Sequence, residues 1–298
     1  MGEASSKFWQ LGLLGYPLEH SLSPLLHTAA LHAAGLAGEY CLHAVPPDAP
    51  DDVGRLLDRV REGEIDGLNV TIPYKQTVLP YLDELTPVAT AIEAVNTIYA
   101  RRGYLVGDNT DAPGFLNDIA RIVGWPLSDL RPAGRELPSA LILGAGGSAR
   151  AVAYALSYAG WHVWVAARRL EQARKLTASL RQRISTPIHH ITFIGLPVLF
   201  DAVAPRFDLL VNATPVGMAP EGETSPWPDK LELPRGAFVY DLVYNPPETA
   251  LLRAAREANL PAANGLGMLV EQAALSFERW TGCVAPRAAT YRAVSLNI

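Results

Sequence analysis

Along the first third of the chain, short apolar runs alternate with segments whose apolar residues recur at three- and four-residue intervals. Trp9 to Gly15, Tyr40 to Val45 and Leu68 to Ile72 read as strands, with Pro24 to Ala34 and Asp51 to Arg61 as the helices between them. That alternation predicts βαβ units carrying a largely parallel sheet. Val95 to Ala100 and Tyr104 to Val106, separated by Arg101-Arg102-Gly103, predict a hairpin at its edge. Residues 125–138 hold three prolines and a glycine with little periodicity and read as a connection. A second α/β series follows: strands at Ala140 to Leu143, Val163 to Ala167, Phe207 to Val211 and Phe238 to Val243, and helices at Ala149 to Ala159, Leu170 to Arg183 and Thr249 to Ala258. Leu266 to Trp280 reads as a long helix with Leu269, Ala273, Phe277 and Trp280 at helical spacing.

Length and composition fit this pattern. A chain of 298 residues that is 49% hydrophobic and 18% charged suggests two globular domains, each able to bury a core. A net charge of −5 without a basic run gives no reason to expect nucleic acid as a partner. No apolar run is long enough for a membrane span, and residues 1–9 carry no apolar signal region. Cys41 and Cys283, far apart, suit a reducing compartment better than a disulfide framework. The histidines show no metal-ligand spacing. The expectation is a cytoplasmic, metal-free protein.

One composition detail points at chemistry. Only four of the 25 basic residues are lysines, and one of them, Lys75, ends the run Asn69-Val70-Thr71-Ile72-Pro73-Tyr74-Lys75. An ammonium can give up its proton where a guanidinium cannot, so a lysine in an arginine-rich chain is a candidate for proton transfer. A lysine at the surface near a helix start is the structural alternative.

The segment Gly144-Ala145-Gly146-Gly147-Ser148-Ala149 follows an apolar strand and opens a helix. In that context a glycine turn binds the pyrophosphate of a dinucleotide: Gly144 permits the tight turn, Gly146 the close approach of the backbone, and the helix N-terminus supplies amide donors. Ala149 stands at the third position, where close packing on the strand is needed. The next strand ends Val165-Ala166-Ala167-Arg168-Arg169, without the acidic residue that would hold a ribose 2′-hydroxyl. Arg168 and Arg169 suit a 2′-phosphate instead, and the helix dipole disfavours such a pair without an anion. NADP(H) is the predicted cofactor.

Three polar clusters fall at the ends of strand-like segments in the first half. His20-Ser21-Leu22-Ser23-Pro24 is one, where Ser23 followed by Pro24 reads as an N-cap with proline at the first helical position. Asn69 to Lys75 is the second. Asn96, with Gly107-Asp108-Asn109-Thr110-Asp111, is the third, in which Asp108 and Asn109 are explained as turn formers. Hydroxyls, amides, one lysine and one carboxylate together suit a small polyhydroxylated acid.

With Gly15-Tyr16-Pro17, Ala94-Val95-Asn96-Thr97, Asn212-Ala213-Thr214-Pro215-Val216-Gly217-Met218, Asp241-Leu242-Val243-Tyr244-Asn245-Pro246 and Asn264-Gly265-Leu266-Gly267-Met268-Leu269-Val270-Glu271-Gln272 added in order, these motifs resemble the shikimate dehydrogenase family through nearly the whole chain. The resemblance implies an α/β protein of two domains: an N-terminal substrate-binding and catalytic domain (1–115 with 265–298), and a Rossmann-type NADP-binding domain (116–264), the last helices returning to the first. It implies Lys75 and Asp111 as the catalytic pair and Ser21 and Ser23 as ligands of the substrate carboxylate. Thr71, Asn96, Asp111, Tyr244 and Gln272 would contact hydroxyls or neighbouring groups. The cofactor site would take in Gly144, Ala145, Gly146, Gly147, Ser148, Arg168 and Arg169, together with Thr214, Leu242, Gly265 and Met268. The implied activity is reversible, NADP(H)-dependent interconversion of 3-dehydroshikimate and shikimate by a monomer or homodimer. A quinate/shikimate dehydrogenase using NAD or either cofactor, a methylenetetrahydrofolate-type dehydrogenase, and a non-catalytic regulator of the same fold are the alternatives. Two departures stand out: the family often has Asn-Arg-Thr where this chain has Ala167-Arg168-Arg169, and Glu93 stands where a glycine commonly precedes Ala-Val-Asn-Thr.

Overall fold

The computed structural model describes residues 7–123, 137–192, 196, 206–220 and 222–295; the connection read at 125–138 lies almost wholly outside them. The chain divides into two compact units, one running to Gly114 and resuming at Val270, the other Phe115–Leu269. Each is built on a six-stranded sheet.

The first unit contains β1 (Phe8–Gly15), α1 (Ser23–Ala33), β2 (Ala37–Ala44), α2 (Pro50–Arg61), β3 (Gly67–Val70), β4 (Glu84–Leu85), α3 (Pro87–Ile92), β5 (Thr97–Arg101) and β6 (Tyr104–Asp108). Its strand order is β2-β1-β3-β5-β6-β4. β1 pairs in parallel with β2 and β3, while β5 runs antiparallel to β3 and β6. The parallel half reflects α1 and α2 as crossovers. On α2 the buried residues Val53, Leu56, Leu57 and Val60 form one apolar stripe. Alternate residues of β1 feed two cores: Leu14 packs with Val53, Leu57 and Val60, whereas Leu11 and Leu13 pack with Tyr40, Phe277 and Trp280. Gly67 is glycine because the Trp280 indole lies where a Cβ would be, 2.4 Å away.

Three local expectations need correction. The hairpin turn holds two residues, not three: Arg102 (φ 54°) and Gly103 (φ 81°) are both left-handed, as the twist of a tight hairpin requires. The hairpin is also not the edge of the sheet, since β4 pairs in parallel with β6 outside it. Ser23 is not a capping side chain: α1 begins at Ser23 with Leu22 before it, and no side chain caps its end. Instead the Ser23 amide donates to Ser21 Oγ at 3.3 Å.

Helix α4 (Asp111–Val123) follows β6, and its division between the units falls at Gly114. The second unit continues with β7 (Ser139–Leu143), α5 (Gly147–Tyr158), β8 (His162–Ala167), α6 (Leu170–Arg181), β9 (Ile188–Thr192), β10 (Leu209–Asn212), β11 (Phe238–Asp241), α7 (Ala250–Glu257) and β12 (Ala262–Asn264). Its strands are all parallel, in the order β12-β11-β10-β7-β8-β9. Counted from β7, that is 3-2-1-4-5-6, the doubly wound order that reverses between β7 and β10. Two further helices, α8 (Leu266–Thr281) and α9 (Arg287–Ser295), complete the described chain; all but the first turn of α8 belongs to the first unit.

Candidate active site

In the first unit the polar clusters gather at one end of the sheet, past the carboxyl ends of its parallel strands, where α/β folds place ligands. β1 and β3 end side by side, and their continuations stay joined: Thr71 N donates to the Leu14 carbonyl at 2.8 Å and Tyr16 N to that of Ile72 at 3.0 Å. The loop that leads on to Ser21 and Ser23 thus starts against Thr71, whose Cγ2 and Leu18 Cδ2 both fill the space where Gly15 lacks a Cβ. The turn after β3 is pinned by Tyr74, which is buried and donates its hydroxyl to the Val45 carbonyl at 2.7 Å. Lys75, the next residue, is thereby carried to the rim of the sheet.

Lys75 is not a surface lysine. Its side chain is 12% exposed and its Nζ lies 2.5 Å from Asp111 Oδ2. Asp111 opens α4, where the helix dipole favours a negative charge. Asn109 fixes that helix end by accepting the amide protons of Asp111 and Ala112 at 3.1 and 3.3 Å. The second carboxylate oxygen, Oδ1, accepts from Asn96 Nδ2 at 2.8 Å. Which end of the Asn96 amide faces Asp111 is settled by the Thr110 backbone: its N–H can only donate and lies 2.7 Å from Asn96 Oδ1. The nitrogen end must then face the carboxylate. Asn96 Nδ2 also reaches Gln272 Oε1 at 3.3 Å. Lys75, Asp111, Asn96 and Gln272 therefore form one connected group.

Around them, Ser21 is half-buried and Ser23 buried. Burial pushes the Tyr40 phenol up, opposed by a hydrogen bond from Ser23, and its hydroxyl donates to Asn69 Oδ1 at 2.9 Å. Tyr40 stacks on His27 with ring centroids 4.4 Å apart. Asp108 is structural: it accepts from Thr86 Oγ1 at 2.6 Å and Arg279 Nε at 2.9 Å. Reasoning on the sequence missed the layer of Asn69, Thr97, Thr110 and Ser276 behind Asn96; its one legible signal was a serine four residues after Gln272, amid small and apolar neighbours.

In the second unit the glycine turn lies at the switch point of the sheet. Gly144 has φ +114°, and a Cβ there would stand 2.9 Å from the Ala213 carbonyl oxygen, so only glycine fits between the ends of β7 and β10. Gly146 differs: a Cβ there would meet nothing within 4 Å. The space beside its backbone is open, as an approaching pyrophosphate requires. α5 begins at Gly147, and Ala149 is fully buried. Arg168 and Arg169 are exposed at the end of β8 and have no ion-pair partner among the described residues. These features fit a dinucleotide with a 2′-phosphate.

Thr214, Leu242 and Gly265 are joined on the other side of the turn. Thr214 Oγ1 donates to Asn212 Oδ1 at 2.7 Å, Leu242 N donates to the Asn212 carbonyl at 2.9 Å, and a Cβ on Gly265 would lie 2.1 Å from the Leu242 carbonyl oxygen. Close packing on Leu242 is thus sufficient reason for Gly265. Met268 is buried, and Tyr244 is half-buried past the end of β11. Asp241 holds the Asn212 amide at 2.8 Å and the Thr249 hydroxyl at 2.6 Å; burial pushes its carboxyl up to about 6, opposed by those bonds and the Val243 amide.

A sheet of this order with an open glycine turn at its switch point is a dinucleotide-binding architecture, and its presence in one chain with a lysine–aspartate pair defines the class as a two-domain dehydrogenase. The chain belongs to the shikimate dehydrogenase family. Residues 13–98 match the shikimate dehydrogenase substrate binding domain, and residues 265–294 the shikimate 5'-dehydrogenase C-terminal domain. It is 38% identical over 291 residues to the shikimate dehydrogenase (NADP(+)) of Shouchella clausii, covering 97% of this chain and 98% of that one. Identity to the Symbiobacterium thermophilum enzyme of the same name is 41% over 273 residues, covering 91% and 88%. Among solved structures, shikimate 5-dehydrogenase from Thermus thermophilus in complex with NADP(H) and shikimate superposes with a TM-score of 0.81 at 36% identity, covering 97% and 100%. Quinate dehydrogenase from Corynebacterium glutamicum in complex with NAD gives 0.83 at 31%, covering 98% and 100%. No described helix is long and apolar enough to cross a membrane.

Proposed function

We propose that this chain is a shikimate dehydrogenase, catalysing the reversible NADP(H)-dependent reduction of 3-dehydroshikimate to shikimate. The observation that carries the reading is the largely buried Lys75–Asp111 pair, with Asn96 on the second carboxylate oxygen, in a chain related over nearly its full length to enzymes named for that activity. The unit ending at Gly114 and resuming near residue 265–270 serves as the substrate and catalytic domain, and the intervening unit as the NADP domain.

When bound, the cofactor supplies hydride to the substrate carbonyl carbon, or accepts it from the carbinol carbon in reverse. The chain's own task is the proton and the orientation. Lys75 Nζ gives a proton to the carbonyl oxygen as it becomes a hydroxyl, and the amine is reprotonated from solvent; in oxidation the same nitrogen takes the hydroxyl proton. Asp111 holds Nζ with one oxygen while Asn96 stops its carboxylate from rotating. Ser21 and Ser23 bind the substrate carboxylate, and Thr71, Asn96, Asp111, Tyr244 and Gln272 read its hydroxyls. The backbone from Gly144 to Ser148 holds the pyrophosphate, Arg168 and Arg169 the 2′-phosphate. Thr214, Leu242, Gly265 and Met268 line the remainder of the cofactor site. The free thiols of Cys41 and Cys283 support a reducing, cytoplasmic setting.

The quinate dehydrogenase likeness makes a second reading worth testing. Initial rates with NADP⁺ and NAD⁺, each with shikimate and with quinate, separate the two. The expected result is efficient turnover with shikimate and NADP⁺ alone. Higher efficiency with quinate and NAD⁺ would replace the proposal by the second reading, and no turnover in any combination would leave a binding protein.

A further inference from the structure

Behind the Lys75–Asp111 pair lies a layer of buried side chains to which the roles above give no part. Ser276 is fully buried on α8, one turn beyond Gln272. Its Oγ lies 3.0 Å from Asn69 Nδ2, 2.7 Å from Thr97 Oγ1, 3.1 Å from Thr110 Oγ1 and 3.0 Å from the Gln272 carbonyl oxygen. A hydroxyl has one proton and two acceptor sites, so the donors can be ordered. The Asn69 amide nitrogen can only donate and the Gln272 carbonyl can only accept. Ser276 therefore takes a proton from Asn69 and gives its own to Gln272, leaving one acceptor site for the threonines. Thr97 Oγ1 and Thr110 Oγ1 in turn lie 3.0 and 3.2 Å from Asn96 Oδ1, and Asn69 Nδ2 also reaches the Asn96 carbonyl at 3.0 Å.

One hydroxyl thus ties the helix bearing Gln272 to β3 through Asn69 and, by its one remaining acceptor site, to β5 through Thr97 or to the start of α4 through Thr110. Ala273, Ala274 and Phe277, close to it on that helix, are buried and apolar. A small apolar residue would serve the packing equally well, so the hydroxyl itself needs a reason. We propose that Ser276 is a positioning residue for the reaction: without touching substrate, it fixes Gln272 and the Asn96 amide relative to the Lys75–Asp111 pair. This rests on the assignment of Gln272 to substrate binding.

The test uses the full chain with Ser276→Ala, Ser276→Cys, Gln272→Ala and the double variant Ser276→Ala/Gln272→Ala, measured for KM towards shikimate and NADP⁺, kcat and Tm. In Ser276→Ala the KM for shikimate should rise about tenfold, the size of one lost hydrogen bond in a binding group, with KM for NADP⁺ within about twofold of wild type. Ser276→Cys, of similar shape but with a weaker donor and acceptor, should fall between the two and stands in should Ser276→Ala fail to fold. In the Gln272→Ala background the serine substitution should cost clearly less than it does alone, because the part of its effect that runs through the Gln272 side chain has gone and only the part through Asn96 stays. An unchanged KM for shikimate in a folded variant, equal losses towards both ligands that track a fall in Tm, or full additivity with Gln272→Ala would each overturn the proposal. A wild-type chain inactive towards shikimate would instead overturn the functional reading on which it stands.

Discussion

Asp111 shows how much of a catalytic group is made by residues that never touch substrate. Its two oxygens are assigned to different partners, Lys75 and Asn96, and the Asn96 amide is itself oriented by a backbone N–H that can only donate. Lys75→Met removes the transferable proton but keeps much of the side-chain volume. Turnover of shikimate should fall by about 10²–10⁴-fold with little change in KM, as loss of general acid–base help demands. A variant with normal kcat and only a raised KM would strip Lys75 of that role. Glu93 now has a physical account. It ends α3 in the left-handed conformation, φ 56° and ψ 39°, with its amide bonded to the Ala89 carbonyl at 2.9 Å. That backbone suits glycine, and here a side chain bears the strain. Glu93→Gly should stabilise the protein by about 0.5–1 kcal/mol, the strain relieved being partly offset by a more disordered unfolded chain. Urea denaturation checks this; a lower midpoint would mean that the Glu93 side chain contributes more than its backbone costs.

At the scale of elements, legibility followed the strength of the periodic signal. α2 was readable because Val53, Leu56, Leu57 and Val60 mark one face. The strands of the second sheet were readable as short buried runs. α4 was not, because Asp111-Ala112-Pro113-Gly114 carries turn residues where a helix begins. Pro113 is tolerated there because the first turn of a helix has no partner for its missing N–H. Gly114 is required because a Cβ would lie 2.8 Å from the Gln272 amide nitrogen, a contact no local pattern encodes. β4 escaped because it is only two residues long and both are exposed, which leaves no apolar pattern to read. The cofactor turn was legible because its glycines answer local demands, one for a left-handed φ and one for open space. At the start of α6, Arg169 precedes the helix with no capping side chain, and both arginines stand exposed. Cations at that end work against the helix dipole, which makes an anionic ligand the natural occupant. In Arg168→Ala, kcat/KM for NADP⁺ should fall about 10–100-fold while that for NAD⁺ stays level, since a hydrogen bond to a charged group is worth roughly 1.5–3 kcal/mol. An unchanged ratio between the cofactors would remove Arg168 from the 2′-phosphate site.

For the molecule as a whole, two buried groups set opposing responses to acid, one in each unit. His27 is buried against Tyr40 and Trp280, and burial pushes its imidazole down to about 3, partly opposed by Asn69. Neither ring nitrogen has a hydrogen bond of ordinary geometry among the described residues. Below its unfolded value of 6.5 the unfolded imidazole takes up a proton that the folded one refuses. Stability of the first unit therefore falls as pH drops from 6.5 towards about 3. Asp241 runs the other way. With its folded carboxyl near 6 and its unfolded one at 3.8, the folded form keeps a proton that the unfolded form has lost, so the second unit loses stability as pH rises through that window. Between pH 7 and 5 the His27 effect acts against the fold and the Asp241 effect in its favour, each on the order of 1–2 kcal/mol. In the wild type the two therefore act against each other across that range. His27→Leu unmasks the Asp241 contribution: the change in unfolding free energy on going from pH 7 to pH 5 should be about 2 kcal/mol more favourable than in the wild type. Asp241→Asn should shift it in the opposite direction, by on the order of 1 kcal/mol. Chemical denaturation of the three proteins at both pH values reads these differences directly, and parallel pH dependence in wild type and His27→Leu would mean that the buried imidazole has no part in the acid response.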